Sequence, residues 1–506
     1  MRATVTALAL AAVVAIGCSH SKRGGAAPGD GGSGGPTIDA APPAATCQAP
    51  ALADTSAPTT VVGTGTAASC TEAALDAAAA TGGTVTFDCG SAAVTIAVTA
   101  PINVSAETVI DGGGTVTLDG GHATRILYLD SNYNATTPRL TVQRLSFTGG
   151  LGPGSGDDTA QGGGAIYRNG GSLSVIDCNF DDNHATATGQ DTAGGAIYGF
   201  GGGDTTIAGS TFTNNSASDG GAVGSLNGDL IVVNSTFANN AATGSGGNPG
   251  DGGCGGALYM DGTKEMTSLC GVTISDNSAG AIGGGFFRVS NDHTGTFAMD
   301  KTTVDGNQVT PTASGNAGGM YLEGLAITMT ASTISNNRAF YSGGLWLTSA
   351  TPMITNVTIA GNIAFGSNGG GLWLDNTATG TLTNVTIANN QATATGVVAG
   401  AIFGPGLTLN NTLIANNTAM YTPTCSAQRT DGSGNLQWPS DDAPCTTAPL
   451  VADPMLGALG ANGGPTATLL PSATSPARGI GANCPATDQR GNPRSSPCTA
   501  GAVEVP

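Results

Sequence analysis

Charge is what this chain has least of. Only 10% of its 506 residues are charged, well under the usual ~25%. The 15 bases are outnumbered by 34 acids, for a formal net charge of −19. There is no run of like charge and no basic stripe. Nucleic acids and anionic lipid surfaces both need a basic face, so neither is expected as a partner, and the acidity reads as a solubility device. A strict three-residue glycine period is also missing, which excludes collagen, although glycine makes up 82 of 506 residues, about 16%, against a usual ~7%. No Cys-x-x-Cys pair with zinc spacing occurs, and neither a metal nor a cofactor is expected. What is present argues for a packed body rather than disorder: 39% of residues are hydrophobic, many of them β-branched.

The N-terminus reads as a targeting segment. Arg2 is its charged start, and the apolar run from Ala3 to Ile16, fourteen residues, is too short to remain as a membrane span. It ends in Ala15-Ile16-Gly17-Cys18, which resembles the lipobox of bacterial lipoproteins, with Ala15 where Leu is usual. The resemblance implies that Cys18 is acylated and becomes the mature N-terminus, anchoring the protein to a membrane through lipid. Ser19, where an Asp would imply retention at the inner membrane, points to the outer membrane; free secretion is the alternative. Residues 19–46 are a Gly/Pro-rich tether with neither strand nor helix pattern, of ~30 Å r.m.s. reach for a flexible chain. Without Cys18 ten cysteines remain, an even number in an exported chain. Spacing suggests local clips Cys70–Cys89, Cys254–Cys270, Cys425–Cys445 and Cys484–Cys498, and leaves the pairing of Cys47 and Cys178 open.

The body repeats itself. One half of the unit is Gly-Gly-small-apolar-aromatic: GGAIY at Gly194, GGALY at Gly255, GGMY at Gly318, GGLW at Gly343 and GGGLW at Gly369 are examples. The other half is an apolar residue followed three positions later by Asn. It reads Phe180-x-x-Asn183, Phe212-x-x-Asn215, Phe237-x-x-Asn240, Ile274-x-x-Asn277, Val304-x-x-Asn307, Ile334-x-x-Asn337, Ile359-x-x-Asn362, Ile387-x-x-Asn390 and Ile414-x-x-Asn417. Phe147 opens the series with Gly150 in the Asn place, and successive units are 25 to 37 residues apart. Units this short hold two or three alternating strands, such as Thr381 to Ile387, and no helix. A lone strand cannot bury its face, so units must stack. Parallel stacking at ~4.8 Å sets the nine asparagines above one another as a structural ladder that satisfies a buried turn. The double glycine permits positive φ and close approach between turns, and the aromatic after it is expected to fill the interior. The predicted architecture is all-β: a right-handed parallel β-helix of about eleven to thirteen turns, roughly 50–60 Å long.

The motifs GGAI, at Gly163 to Ile166 and Gly194 to Ile197, and FxxN, at Phe180, Phe212 and Phe237, resemble those of the polymorphic outer-membrane protein family. The resemblance covers about residues 147–417 and implies a surface-exposed, often adhesive β-helix. Many members end in a membrane β-barrel, and no such set of alternating ~10-residue strands closes this chain. At the start of the body, Ser69-x-x-Glu72 reads as a capping box opening a short helix, Thr71 to Ala80, before strands at Thr84–Phe87, Val94–Val98 and Thr115–Leu118. That opening looks like the start of pectin-lyase-like β-helices. At the other end, Asn462-Gly-Gly-Pro-Thr466, Ser475-Pro-Ala477, Asp488-Gln-Arg-Gly491 and Gly501-Ala-Val-Glu504 resemble the choice-of-anchor Q domain, with Asp488 and Arg490 read as a buried ion pair closing the last turn. The expected divisions are a signal at 1–18, the tether at 19–46, an N-terminal cap at 47–83, the β-helix at 84–420 and a disulfide-clipped C-terminal cap at 421–506.

An enzyme on such a solenoid needs acids and bases at equivalent places in adjacent repeats. Asp157, Asp158, Asp181, Asp182, Asp204, Asp219, Asp229 and Asp251 fall mainly in turns instead. Lys264, Arg288, Lys301 and Arg338 are scattered singly, and His20, His122, His184 and His293 share no repeat position. No catalytic residue is assigned. The expected function is a non-catalytic, monomeric surface lipoprotein, adhesive or structural, touching a glycan or a surface protein; a polysaccharide lyase or glycoside hydrolase is the alternative. Tyr128, Tyr133, Trp346 and Trp373 are candidates for stacking on a glycan, although Trp346 and Trp373 align with Tyr259 and Tyr321 and read first as core fillers.

Overall fold

The computed structural model describes residues 47–505, except 311–313, 422–423 and 441–443. Cys18 and the tether lie outside the described residues. The first local structure follows from small residues: helix α1, Glu72–Thr81, has Thr71 as N-cap, its hydroxyl accepting from Ala74 N, and ends at Gly82 (φ 74°). The expected capping box does not form. Ser69 belongs to a short 3-10 turn, Ala67–Ser69, and the Glu72 carboxylate reaches across to Thr99 and Ala100 instead, accepting from Thr99 N at 2.6 Å and Ala100 N at 3.0 Å.

Past α1 the chain winds as a right-handed parallel β-helix of about 13 turns. A representative turn starts at strand Ile197–Phe200, crosses a corner to Thr205–Ala208, bends at Gly209 into Thr211–Thr213, turns at Asn215, makes the short strand Ser216–Ala217, and re-enters the first face at Val223–Leu226 through Gly220-Gly221. Stacking these turns gives an 11-stranded, an 8-stranded and a bent 26-stranded sheet. The bend explains why Thr381–Ile387 is not one strand. Asn384 sits in the left-handed region (φ 52°) and splits it into Gly380–Thr383 and Thr386–Ala388. Strand Thr60–Val62 already pairs with Gly83–Phe87, and Leu450–Val451 still pairs with Leu436–Trp438. The sheets therefore extend beyond both expected limits, 84 and 420.

The core is built from columns. Phe147, Phe180, Phe212 and Phe237 are fully buried, with ring centroids 4.6–4.7 Å apart, and Ile274, Val304 and Ile334 continue the same inward position. Beside them run the nine asparagines. Asn183 Oδ1 accepts from Gly150 N, and every later Oδ1 accepts from both the backbone N and the Nδ2 of the Asn one turn earlier, as at Asn215 → Asn240 (3.0 and 2.9 Å) and Asn362 → Asn390 (3.0 and 2.9 Å). The ladder runs unbroken from Asn183 to Asn417. Glycine is required at the re-entry: Gly194 has φ 70°, and a Cβ there would lie 1.9 Å from the Ile197 carbonyl oxygen.

The aromatic of each repeat does not fill the interior. Strands alternate strictly, and the preceding residue (Ile166, Ile197, Leu258, Phe286, Met320, Leu345, Leu372) takes the core. Tyr167, Tyr198, Tyr259 and Phe287 therefore form a separate cluster outside the first face, joined by Tyr321. Trp346 and Trp373 extend that outer column, centroids 4.6 Å apart and 12° from parallel.

The disulfides are Cys70–Cys89, Cys425–Cys445, Cys484–Cys498 and Cys47–Cys270. The Cys254–Cys270 clip is thus corrected. Cys254 points into the outer aromatic cluster on the first face, whereas Cys270 closes a strand at the bend of another sheet, where Cys47 is brought by Asn234, which bonds Cys47 N and O at 2.9 Å each. Cys178 and Cys254 are free and buried. Both terminal segments lie along the bend. Ala53 pairs with Gln143 on the N-terminal side. On the C-terminal side Asn356, Asn384 and Asn411 bond the carbonyls of Thr487, Thr499 and Ala482. The segment after 453 is therefore a lateral strap, not an end cap. Asp488 and Arg490 do pair, at 2.8 Å with the carboxylate buried, but they hold Gln489 against Ser332, Thr333 and Thr358, far from the last turn.

Candidate functional site

Where the first face hands over to the bent sheet, neighbouring turns cross corners rich in Gly, Asn and Asp, such as Gly201 to Asp204 and Asn227 to Asp229. Left-handed residues make that crossing tight: Asn227 (φ 57°) and Lys264 (φ 62°) take it without being glycine. These corners, with the loop around Tyr133, enclose an open groove of about 380 Å³ lined by Tyr133, Asn134, Gly202, Asn227, Gly228, Asp229, Thr263, Lys264 and Glu265. Asn227 Nδ2 donates to Tyr133 Oη at 2.7 Å and so fixes the ring on one wall. Asp229 Oδ1 accepts from Met266 N at 2.7 Å, leaving its second oxygen for the groove.

The floor rests on two arginines that occupy inward positions of their strands. Arg168 and Arg288 are fully buried. Arg168 uses room left by Gly199 in the next turn, where a Cβ would lie 2.8 Å from Nη2, and donates to the carbonyls of Gly171 and Gly203 at 2.8 and 2.9 Å. Burial pulls it down to about 10, so it stays charged at neutral pH. Arg288 Nη2 bonds Glu265 O at 2.9 Å and pairs with Glu265 Oε2 at 3.3 Å. The other carboxylate oxygen of Glu265 accepts from Thr263 N at 2.7 Å. Desolvation pushes Glu265 up to about 7, although the Arg288 charge opposes it. Both oxygens of this carboxyl are engaged and its side chain is only 6% exposed.

Other candidates separate from this groove. Trp346 and Trp373 stack ring on ring, with Phe403 4.1 Å beyond. Their faces cover one another, so a sugar would meet edges rather than the faces on which CH–π stacking relies. Tyr128 stands at the far end of the same column, beside Tyr167. Asp181 is a strand residue, holding Thr213 Oγ1 at 2.6 Å and Asn214 Nδ2 at 2.8 Å. Asp204 pairs with Arg139 through both oxygens. Asp219 is fully buried, and burial holds it well above the usual carboxylate range. The exposed side of the strand set before the bend carries Ser268, Ala298, Thr328, Met353 and Thr381, a flat face with no acid or base among them. His122 and His184, unrelated by repeat position, come together on either side of Asp182. Sequence reasoning missed the Glu265–Arg288 pair because its members stand 23 residues apart. Stacking alone brings them together; neither residue lies in a motif.

The arrangement offers hydrogen-bond donors and acceptors around one aromatic wall, the chemistry that suits a polyhydroxylated ligand. The family model described as right-handed beta helix region matches residues 256–437. No curated protein matches the chain. Among solved structures it is similar to the A-module of a mannuronan C-5 epimerase from Azotobacter vinelandii, 14% identical over 76% of this chain and 96% of that one, with a TM-score of 0.35. A second such A-module from that organism is 13% identical over 71% and 95%, with a TM-score of 0.39. A third similar structure is PfbA, a surface adhesin of Streptococcus pneumoniae, 10% identical over 70% and 88%, with a TM-score of 0.27. What the chain shares with the matched family is the right-handed β-helix itself.

Proposed function

We propose that this protein is a surface lipoprotein, anchored at the outer membrane through Cys18, whose β-helix holds a glycan segment in the groove at Tyr133 without transforming it. The observation that carries the reading is the groove itself: Tyr133, Asn227, Asp229 and Lys264 converge on open space above a carboxyl that is already satisfied on both oxygens. Binding without turnover fits a carboxylate pinned beneath the ligand rather than aimed at it. The pocket presents carboxylates as well as Lys264, so neutral or amino sugars are the better ligands. One observation favours a polysaccharide lyase or hydrolase instead: a glutamate pushed to about 7 suits proton transfer near neutrality.

The test is a glycan array and calorimetry on the intact protein, run beside product assays on pectin, alginate and chitin. Binding should be weakened about tenfold or more by Tyr133→Ala, from the loss of one aromatic contact and its ordered amide, and kept by Glu265→Gln. Turnover abolished by Glu265→Gln would establish the enzyme. Binding unaffected by Tyr133→Ala would remove the groove from the account.

A further inference from the structure

The corner where the asparagine ladder begins carries a group of side chains that the glycan reading does not use. His122 follows the strand Thr108–Asp119, and Asp182 and His184 flank the first ladder residue, Asn183. One turn lies between them, and its corner runs Gly149-Gly150-Leu151, with Leu151 in register with His184. Gly149 and Gly150 bring no side chain between the imidazoles, and their rings stack with centroids 5.6 Å apart and 25° between planes. The Asp182 carboxylate bridges the pair, with Oδ2 3.3 Å from His122 Nε2 and Oδ1 2.8 Å from His184 Nε2.

We propose that His122, Asp182 and His184 bind a divalent transition-metal ion of the zinc type. One ligand atom from each lies within 4.8 Å of the others. Ligands about 2 Å from a tetrahedral ion stand about 3.3 Å apart, and the two contacts of the Asp182 carboxylate, 3.3 and 2.8 Å, are already near that spacing. The backbone holds the three in place through the stack. His122 N donates to Gly149 O at 2.7 Å, Gly149 N to Asp182 O at 3.1 Å, and His184 N to Gly150 O at 2.8 Å. His122 and Asp182 are both in the left-handed region, at φ 53° and 60°, which turns their side chains out of the strand direction.

The outer shell is built as well. His184 Nδ1 lies 2.8 Å from Ser216 Oγ. A proton on Nδ1 directed at that hydroxyl leaves the Nε2 lone pair for the ion, the usual way an imidazole ligand is oriented. Two imidazoles and one carboxylate suit zinc, nickel or copper, whereas calcium and magnesium want oxygen alone. The His122 and Asp182 side chains are 54% and 48% exposed, so water completes the coordination.

The test is calorimetric titration of the untagged protein with Zn²⁺, with Co²⁺ absorption as a second readout and Ca²⁺ as the hard-ion control. One equivalent of Zn²⁺ should bind. His122→Ala and Asp182→Asn should each weaken it at least about tenfold, while His293→Ala leaves it unchanged. Because His122 sits in an exposed turn, its alanine variant should keep the wild-type melting curve, which separates loss of a ligand from loss of fold. A wild-type protein that takes up no Zn²⁺, or variants that bind as it does, would overturn the site and leave the three as a hydrogen-bonded surface cluster. Neither result bears on the groove at Tyr133.

Discussion

The carboxyl of Glu265 lies at the base of the groove, against the guanidinium of Arg288, and is largely withdrawn from water. Its folded value, about 7, stands above the ordinary 4.5. Between those two pH values the folded protein holds a proton that the unfolded chain has released, so stability falls as pH rises through that window and levels off above it. Glu265→Gln removes the titration while keeping an acceptor for Arg288. Urea melts at pH 5 and pH 8 should therefore show the wild type losing on the order of 1–3 kcal/mol more than the variant does. Equal pH dependence of the two would mean that the carboxylate is ionised in the fold throughout. Asp219, another buried acid, is shifted in the same sense, but it is common to both proteins and cancels in the comparison, as do the other carboxyls.

A single strand here is two to six residues long over most of the body and has no independent stability; the element that matters is the column. In the ladder one asparagine side chain serves two turns. Asn240 accepts from Asn215 N and Nδ2 and itself donates to Asn277 Oδ1 and to the Phe212 carbonyl. Asn240→Ala or Asn362→Ala removes an acceptor that no water can replace, since both residues are buried, and each should cost about 1–3 kcal/mol. Phe237 ends the phenylalanine stack on Phe212; Phe237→Ala leaves a void in a fully buried site and should cost about 3–5 kcal/mol. Denaturant melts of the three variants check both numbers, and wild-type melts would refute the column as the stabilising unit.

At the scale of the whole molecule, the two terminal segments are laid along one bend of the solenoid. The described chain begins at Cys47, bonded to Cys270 across 223 positions of sequence. The C-terminal strap is pinned by Arg494, which donates to Asn356 Oδ1 at 2.7 Å and pairs with Glu504 at 3.3 Å. Among the described residues no helix is long and apolar enough to cross a membrane; the attachment proposed above is through Cys18. More than one acyl chain is needed for stable anchoring. Cys18→Ser should abolish incorporation of labelled palmitate and release the protein to the medium; a wild-type protein that is unlabelled and free would make this a secreted β-helix.

Composition and repetition determined the class of fold. Two periodic signals, Gly-Gly-small-apolar-aromatic and apolar-x-x-Asn, recur together with short alternating segments, and strands that short are stable only when stacked. The positions of the ladder asparagines follow from the same repeat, because in a parallel stack equal positions superimpose. Tertiary structure decided everything that depends on which turn lies beside which. Strand alternation placed the repeat aromatics outside once the neighbouring Leu or Ile had taken the core. The partner of Cys270 came from 223 residues away because the N-terminal segment runs along the flank. The pairing of Glu265 with Arg288 and the meeting of His122 with His184 are contacts between turns of unequal length. Their sequence separation carries no motif, since the number of residues in each turn, 25 to 37 here, is set by loops and not by the strands that stack.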